Sequence, residues 1–228
     1  MSDPTIRPPL PASFPSRLND GYLSFRAGRY PTENDRYKRL GEEGQKPQIM
    51  IIGCCDSRVS PEVIFDAGPG EIFVVRNVAN LVPPFHPDGE FHGTSAALEF
   101  AVVALKVKHI VVMGHGRCGG IRAAIDGTDE PLTQSDFIGR WMSILSGTAD
   151  EVRCDHSVAP GLRYKTLEHE GIKASLRNLM TFPCIQTRVA KGSLRLHGAW
   201  FDVSEGELHI LDPDSGSFAV IESPDAAN

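Results

Sequence analysis

No stretch of this 228-residue chain stays apolar over the ~20 positions a membrane-spanning helix needs, so no membrane partner is expected. It has no block of like charge, and a formal charge of -6 leaves no basic face suited to nucleic acid. Cysteine is scarce and odd in number, five at irregular spacing. That excludes a disulfide framework and points to a reducing, cytoplasmic setting in which metal holds some thiols. No glycine-rich phosphate fingerprint is present, and there is no internal repeat. The first fifteen residues carry Pro4, Pro8, Pro9, Pro11 and Pro15, and so read as an arm rather than a leader or a helix.

What is present is an ordinary globular composition with two short β-branched runs, each closed by glycine. The run 49–52 leads into Gly53-Cys54-Cys55-Asp56-Ser57-Arg58, and the run 110–113 leads into Gly114-His115-Gly116-Arg117-Cys118-Gly119-Gly120. Near-continuous apolar runs of this length read as buried parallel strands. Side by side in one sheet, they release Cys54, His115 and Cys118 at the carboxyl edge, where α/β sheets bind ligands. Two thiols and an imidazole there suit a zinc ion with one open position for water. Asp56 and Arg58, two apart, point the same way. The Arg58 fork can clamp the carboxylate, which is then held off the metal to orient the water.

Other readings of these residues are plainer. Cys55 is the alternative thiol, though it should point away from Cys54. Cys154 and Cys184 are expected as small buried hydrophobes. His86, His92, His109, His156, His169, His197 and His209 read as surface or hydrogen-bonded histidines, with His92 and His197 the two to watch as proton carriers. Gly119, at a helix start, is grouped with the substrate-binding residues because such a start offers N–H groups to an anion.

In chain order, helices are expected over 17–28 and 34–40, followed by a strand at 48–54. Ser60-Pro61-Glu62 starts another helix. A strand at 71–76 precedes an irregular 77–85 and a helix at 93–105. A strand at 109–114 follows, then helices over 119–125, 135–145 and 162–180, with 146–161 polar and irregular. Strands at 193–203, 207–211 and 217–222 form antiparallel hairpins, turning at Glu205-Gly206 and over 214–216. The fold class is α/β: a parallel sheet core flanked by helices, an antiparallel edge and a C-terminal hairpin. Residues 1–43 form an N-terminal helical arm packing on a partner subunit, and 44–228 the catalytic domain.

The pattern Cys54-x-Asp56-x-Arg58, Arg76-Asn77-Val78-Ala79-Asn80 and His115-x-x-Cys118 resembles the β-class carbonic anhydrases, in their plant-type branch. The resemblance covers about 44–125, more weakly Leu196-His197-Gly198 and the hairpin beyond. It implies zinc on Cys54, His115 and Cys118, an Asp56–Arg58 catalytic dyad, and reversible hydration of CO2 to bicarbonate. It also implies a homodimer or homotetramer. Gln45 matches a substrate-binding position, and Phe73 and Val78 an apolar CO2 pocket. Phe100 stands where that branch often has tyrosine, so a pocket hydroxyl is missing. One branch of the family binds regulatory bicarbonate through a tryptophan and an arginine. Here Arg76 is present but Ile51 replaces the tryptophan, so cooperative bicarbonate inhibition is not expected. Hydrolysis of CS2 or COS on the same motifs is the second reading. A non-enzymatic zinc-stabilised interaction protein is the third.

Overall fold

The computed structural model describes residues 14–88, 92–127 and 131–221; the expected proline-rich arm lies almost wholly outside them. The chain divides into two units, Met1–Gln45 and Lys46–Asn228. The first contains α1 (Ser16–Ala27) and α2 (Arg29–Glu43). The second helix is longer than expected and starts ahead of Pro31, a residue the first turn tolerates because its missing N–H would have no helical partner. Neither helix buries a residue. Three rings cluster between them, Phe25 with Tyr30 and Tyr37 at centroid distances of 5.9 Å each, while Leu18, Tyr22 and Leu23 stay exposed.

The second unit is built on a six-stranded sheet in the order β2-β1-β3-β4-β5-β6. The strands are β1 (Ile49–Cys54), β2 (Ile72–Asn77), β3 (His109–His115), β4 (Arg195–Phe201), β5 (Leu208–Leu211) and β6 (Phe218–Val220). The first four in that order run parallel, and β5 and β6 return antiparallel. Both hairpins turn alike: Asp202 and Asp212 each accept an N–H two residues on, and each loop closes on a glycine at positive φ, Gly206 and Gly216.

Alternation along the strands sorts the core. Met50, Ile52, Ile110, Val112 and Trp200 face one side, where they meet α4 (Gly93–Glu99) with its π-helical continuation Phe100–Leu105. Also on that side are α8 (Arg163–Leu179) and α9 (Pro183–Ala190). Ile51, Met113 and Ala199 face the other side with Ile64 of the short α3 (Pro61–Ile64). A further cluster at the carboxyl edge joins Cys54 and Cys118 to α5 (Gly119–Asp126), to α7 (Ser146–Cys154) and to α8. The short α6 (Phe137–Met142) lies within the expected 135–145.

Two expectations need correction. Residues 146–154 are helical, not irregular: Leu145, Ala149 and Val152 are buried at helical spacing, a stripe that the surrounding polar residues hid. Pro183 does not only end α8; it opens α9 at its first position, where proline fits a helix, and Ile185 is fully buried. Cys184 packs half-buried on the core as expected, whereas Cys154 is exposed at the end of α7.

Helix α8 crosses the sheet at two glycines. A Cβ on Gly114 would lie 2.7 Å from Ile172 Cδ1, and one on Gly198 would lie 3.0 Å from Ile172 Cγ2. Ile172 is fully buried and has nowhere to go. Gly114→Ala is therefore expected to destabilise the fold by about 1–3 kcal/mol, the usual cost of overpacking, seen as a lower urea midpoint at unchanged m value.

Candidate functional site

Strand register brings the site together. Gly53 pairs with Met113, so Cys54 reaches the sheet edge beside Gly114, one residue before His115. The chain then turns through Gly116, whose N–H donates to Phe201 O at 2.9 Å, and through Arg117 at a φ of 60°. Cys118 is the N-cap of α5. The result is a buried group of Cys54, His115 and Cys118 whose ligand atoms all lie within 4.8 Å of one another. Cys55, by contrast, is exposed.

The donor set suits zinc. His115 Nδ1 lies 3.0 Å from Gly116 O, so its N–H sits on that side and the Nε2 lone pair is free. Nε2 is buried without a hydrogen-bond partner. The two sulfur atoms are 4.0 Å apart. The Cys118 thiol and then His115 pull the Cys54 thiol down to about 4, against burial, helped by the Asp56 and Ala79 N–H groups. Cys118 is pushed up, first by Cys54 and then by burial, although the Ile121 and Gly120 N–H groups at the α5 start favour its thiolate. One negative charge is thus readily held here, and a second needs a cation between the sulfurs. Burial opposes the His115 imidazolium, but the adjacent Cys54 thiolate raises its pKa overall.

Asp56 stands at the rim. Its Oδ1 accepts from Arg58 N at 3.0 Å and from Arg58 Nε at 2.9 Å, and its Oδ2 from Arg58 Nη2 at 2.7 Å. The Arg58 fork therefore holds Asp56 well below the usual carboxylate range. Oδ2 lies 4.0 Å from His115 Nε2. Arg58 in turn donates to Arg117 O at 3.1 Å, tying the two ligand loops together. Arg76 ties the first loop from below, donating to Cys54 O at 2.8 Å and to Asp56 O at 2.7 Å.

The remaining expected residues divide. Val78 borders the cluster: its carbonyl accepts from Trp141 Nε1 at 2.8 Å, and its side chain would lie 3.1 Å from a Cβ on Gly120. Gly119 follows Cys118 at the open start of α5. Phe73 and Phe100 pair with each other at 5.9 Å; Phe73 packs on the core on the α8 side of the sheet, whereas Phe100 is exposed. Phe73 is level with Met50, four residues before Cys54, or roughly 13 Å along the strand. Within one chain these rings stand apart from the ligands. Gln45 is exposed at the end of the first unit. His92 bonds Asp88 at 2.9 Å, and His197 bonds His109 at 3.0 Å near the opposite edge of the sheet, away from the metal ligands.

Sequence reasoning missed Glu168. It is 5% exposed, accepts from Cys118 N at 3.2 Å and from Trp200 Nε1 at 3.1 Å, and burial raises its pKa. The available signal was a carboxylate on the buried stripe of α8, one helical turn before Ile172. Beside it opens a cleft of about 640 Å³ lined by Arg58, Arg117, Gly119, Arg122 and Lys165.

A buried two-thiol, one-imidazole centre at the carboxyl edge of a parallel sheet defines a metal-dependent α/β enzyme. The carbonic anhydrase family model matches residues 49–208. The chain is 36% identical to beta carbonic anhydrase 6, mitochondrial, of Arabidopsis thaliana over 198 residues, 86% of this chain and 67% of that one. It superposes on the structure of the β-carbonic anhydrase CcaA with a TM-score of 0.83 at 32% identity, covering 92% of each chain. It superposes on a structure from work on two tetrameric β-carbonic anhydrases of Sordaria macrospora at 0.68 and 30%, covering 90% and 96%. The chain belongs to the carbonic anhydrase family, in its β class, a family of zinc-dependent lyases.

Zinc content should follow the buried thiols. Cys54→Ser and Cys118→Ser are each expected to bring metal well below one ion per chain by elemental analysis, while Cys55→Ser keeps it. Full zinc in Cys54→Ser would transfer the ligand role elsewhere. Glu168→Ala leaves two buried N–H donors unpaired, a loss of about 1–3 kcal/mol each. It should lower both the unfolding midpoint and zinc affinity in a chelator competition, and Glu168→Gln, which keeps one acceptor oxygen, should lose less.

Proposed function

We propose that Cys54, His115 and Cys118 hold zinc for the reversible hydration of CO2 to bicarbonate and a proton, with Asp56 and Arg58 orienting the attack. The observation that carries this reading is the unpartnered His115 Nε2, buried between two thiols and facing a carboxylate that Arg58 holds in place. The chemistry that a zinc ion held there would supply is acidification of a water, and so a nucleophile at neutral pH.

The rest is the work of the chain. Three N–H groups of Arg58 occupy Asp56, two on Oδ1 and one on Oδ2, which leaves Oδ2 a lone pair free. That lone pair accepts the nucleophile's hydrogen and turns its own lone pair toward the carbon of CO2. Asp56 is far too acidic to donate a proton near neutrality, so it orients rather than protonates. Val78 supplies an apolar wall for an apolar substrate, and Gly119 at the α5 start offers its N–H to the anionic product, those of Gly120 and Ile121 being turned to Cys118. Phe73 and Phe100 take part in this reading only through a second copy of the chain. The outer position of β2 and the exposure of Phe100 suit such an assembly, as do the tetrameric relatives from Sordaria macrospora. Arg76 is committed to two backbone carbonyls and Ile51 is buried, so we read Asp56 as staying clamped rather than moving onto the metal.

Asp56→Ala should separate metal from rate. Zinc stays at the wild-type level while stopped-flow CO2 hydration falls ~10–100-fold or more, the usual range when a group that orients a metal's surroundings is lost. Zinc lost together with activity would make Asp56 a ligand and overturn the orienting role.

A further inference from the structure

The opposite edge of the sheet carries a second concentration of charge. His109 begins β3 and His115 ends it, so this edge lies roughly 20 Å from the metal ligands. A pocket of about 610 Å³ opens there between Lys106, Lys108, His109, Arg188 and Arg195, and no carboxylate among the described residues lines it. Lys106, Lys108 and Arg195 are exposed, and their side chains have no ion-pair partner among the described residues. In a chain of net charge -6, a pocket lined by four Lys and Arg side chains is a local reversal rather than a general trend.

The backbone that presents these cations is fastened. Arg188 donates from Nη1 to Val102 O at 2.7 Å and from Nη2 to Ser193 O at 3.1 Å, joining the segment before β3 to the one before β4. Arg195 N donates to Lys108 O at 2.9 Å, and Lys108 N to Gln48 O at 2.7 Å. His109 Nδ1 lies 3.0 Å from His197 Nε2 and steadies the floor. The backbone positions that carry the cations, and the Arg188 side chain among them, are therefore fixed before any ligand arrives, which leaves only the exposed Lys and Arg side chains to be ordered on binding.

A second groove, about 510 Å³, shares Lys106 and Arg188 with this pocket and continues over Val103, Pro183 and Cys184. Val103 is 54% exposed there. A multivalent head at the cations and an apolar body along this groove describe one kind of ligand. We infer that this edge binds a small organic phosphate, its dianionic head between Lys106, Lys108 and Arg195 and its apolar part against Val103 and Cys184. Three cations suit a tetrahedral dianion with several acceptor oxygens, and the Arg195 fork can engage two of them at once. A bicarbonate monoanion would satisfy far less of this charge.

The test is calorimetric titration of the zinc-loaded protein at constant ionic strength, with phenyl phosphate and inorganic phosphate as probes. Phenyl phosphate should saturate at one per chain and bind more tightly than inorganic phosphate. The exposed double variant Lys108→Ala/Arg195→Ala should weaken it on the order of tenfold or more, as expected for losing charged hydrogen bonds. Val103→Asp should remove the advantage of phenyl phosphate. No saturable binding by wild type, or equal affinity in the double variant, overturns the site; equal affinity for the two probes in wild type overturns the organic ligand. Unchanged zinc content and circular dichroism in each variant exclude misfolding as the cause.

Discussion

Two sulfur atoms 4.0 Å apart in a buried setting set the terms for the whole molecule. One thiolate is stabilised by N–H groups from two loops, but a second beside it needs a cation. The fold makes that demand unavoidable. Parallel register delivers Cys54 and His115 to one edge, and the turn after β3 places Cys118 at the start of α5. Glu168 adds a further buried acid, which Cys118 N–H and the Trp200 indole satisfy without using a charge. Around this core the exposed fork of Arg58 joins the two loops and keeps Asp56 ionised at the rim. The centre is a negative cage with positive fastenings outside it.

How much of this was legible depended on distance along the chain. Strands β1 and β3 announced themselves by continuous apolar runs, and Cys54, Asp56 and Arg58 lie within five residues of one another, as do His115 and Cys118 within four. Local spacing carries such motifs because two strand ends need only adjacent strands to meet. Glu168 lies 50 residues from Cys118, and nothing local signals that bond. Helix α7 was hidden for another reason: only a thin apolar stripe of Leu145, Ala149 and Val152 holds it, inside a polar segment. Pro183 was read as a stop because proline ends helices, yet the same residue starts them. Phe73 and Phe100 show the opposite limit. Their matching positions implied a shared pocket with the ligands, and register puts them at the far end of β2 and in the helix above it.

Net charge proved a coarse guide to the surface. A value of -6 averages over groupings of cations at both edges of the sheet. At the carboxyl edge, Arg58, Arg117, Arg122 and Lys165 share the cleft beside Cys118 with Glu168, Asp202 and Glu205. A zinc ion would cancel the charge of the two thiolates, so Asp56 and the acids of the cleft are what would repel an anionic product, and the four cations offset that repulsion. Their charge acts over a distance of about 8 Å at physiological salt, so it reaches the rim but not the opposite edge of the sheet. A neutral substrate such as CO2 is indifferent to this field, whereas bicarbonate is drawn to it. The same arrangement therefore favours approach of the anion in the dehydration direction and opposes its departure in hydration, and solvent at the half-exposed Arg58 weakens both effects.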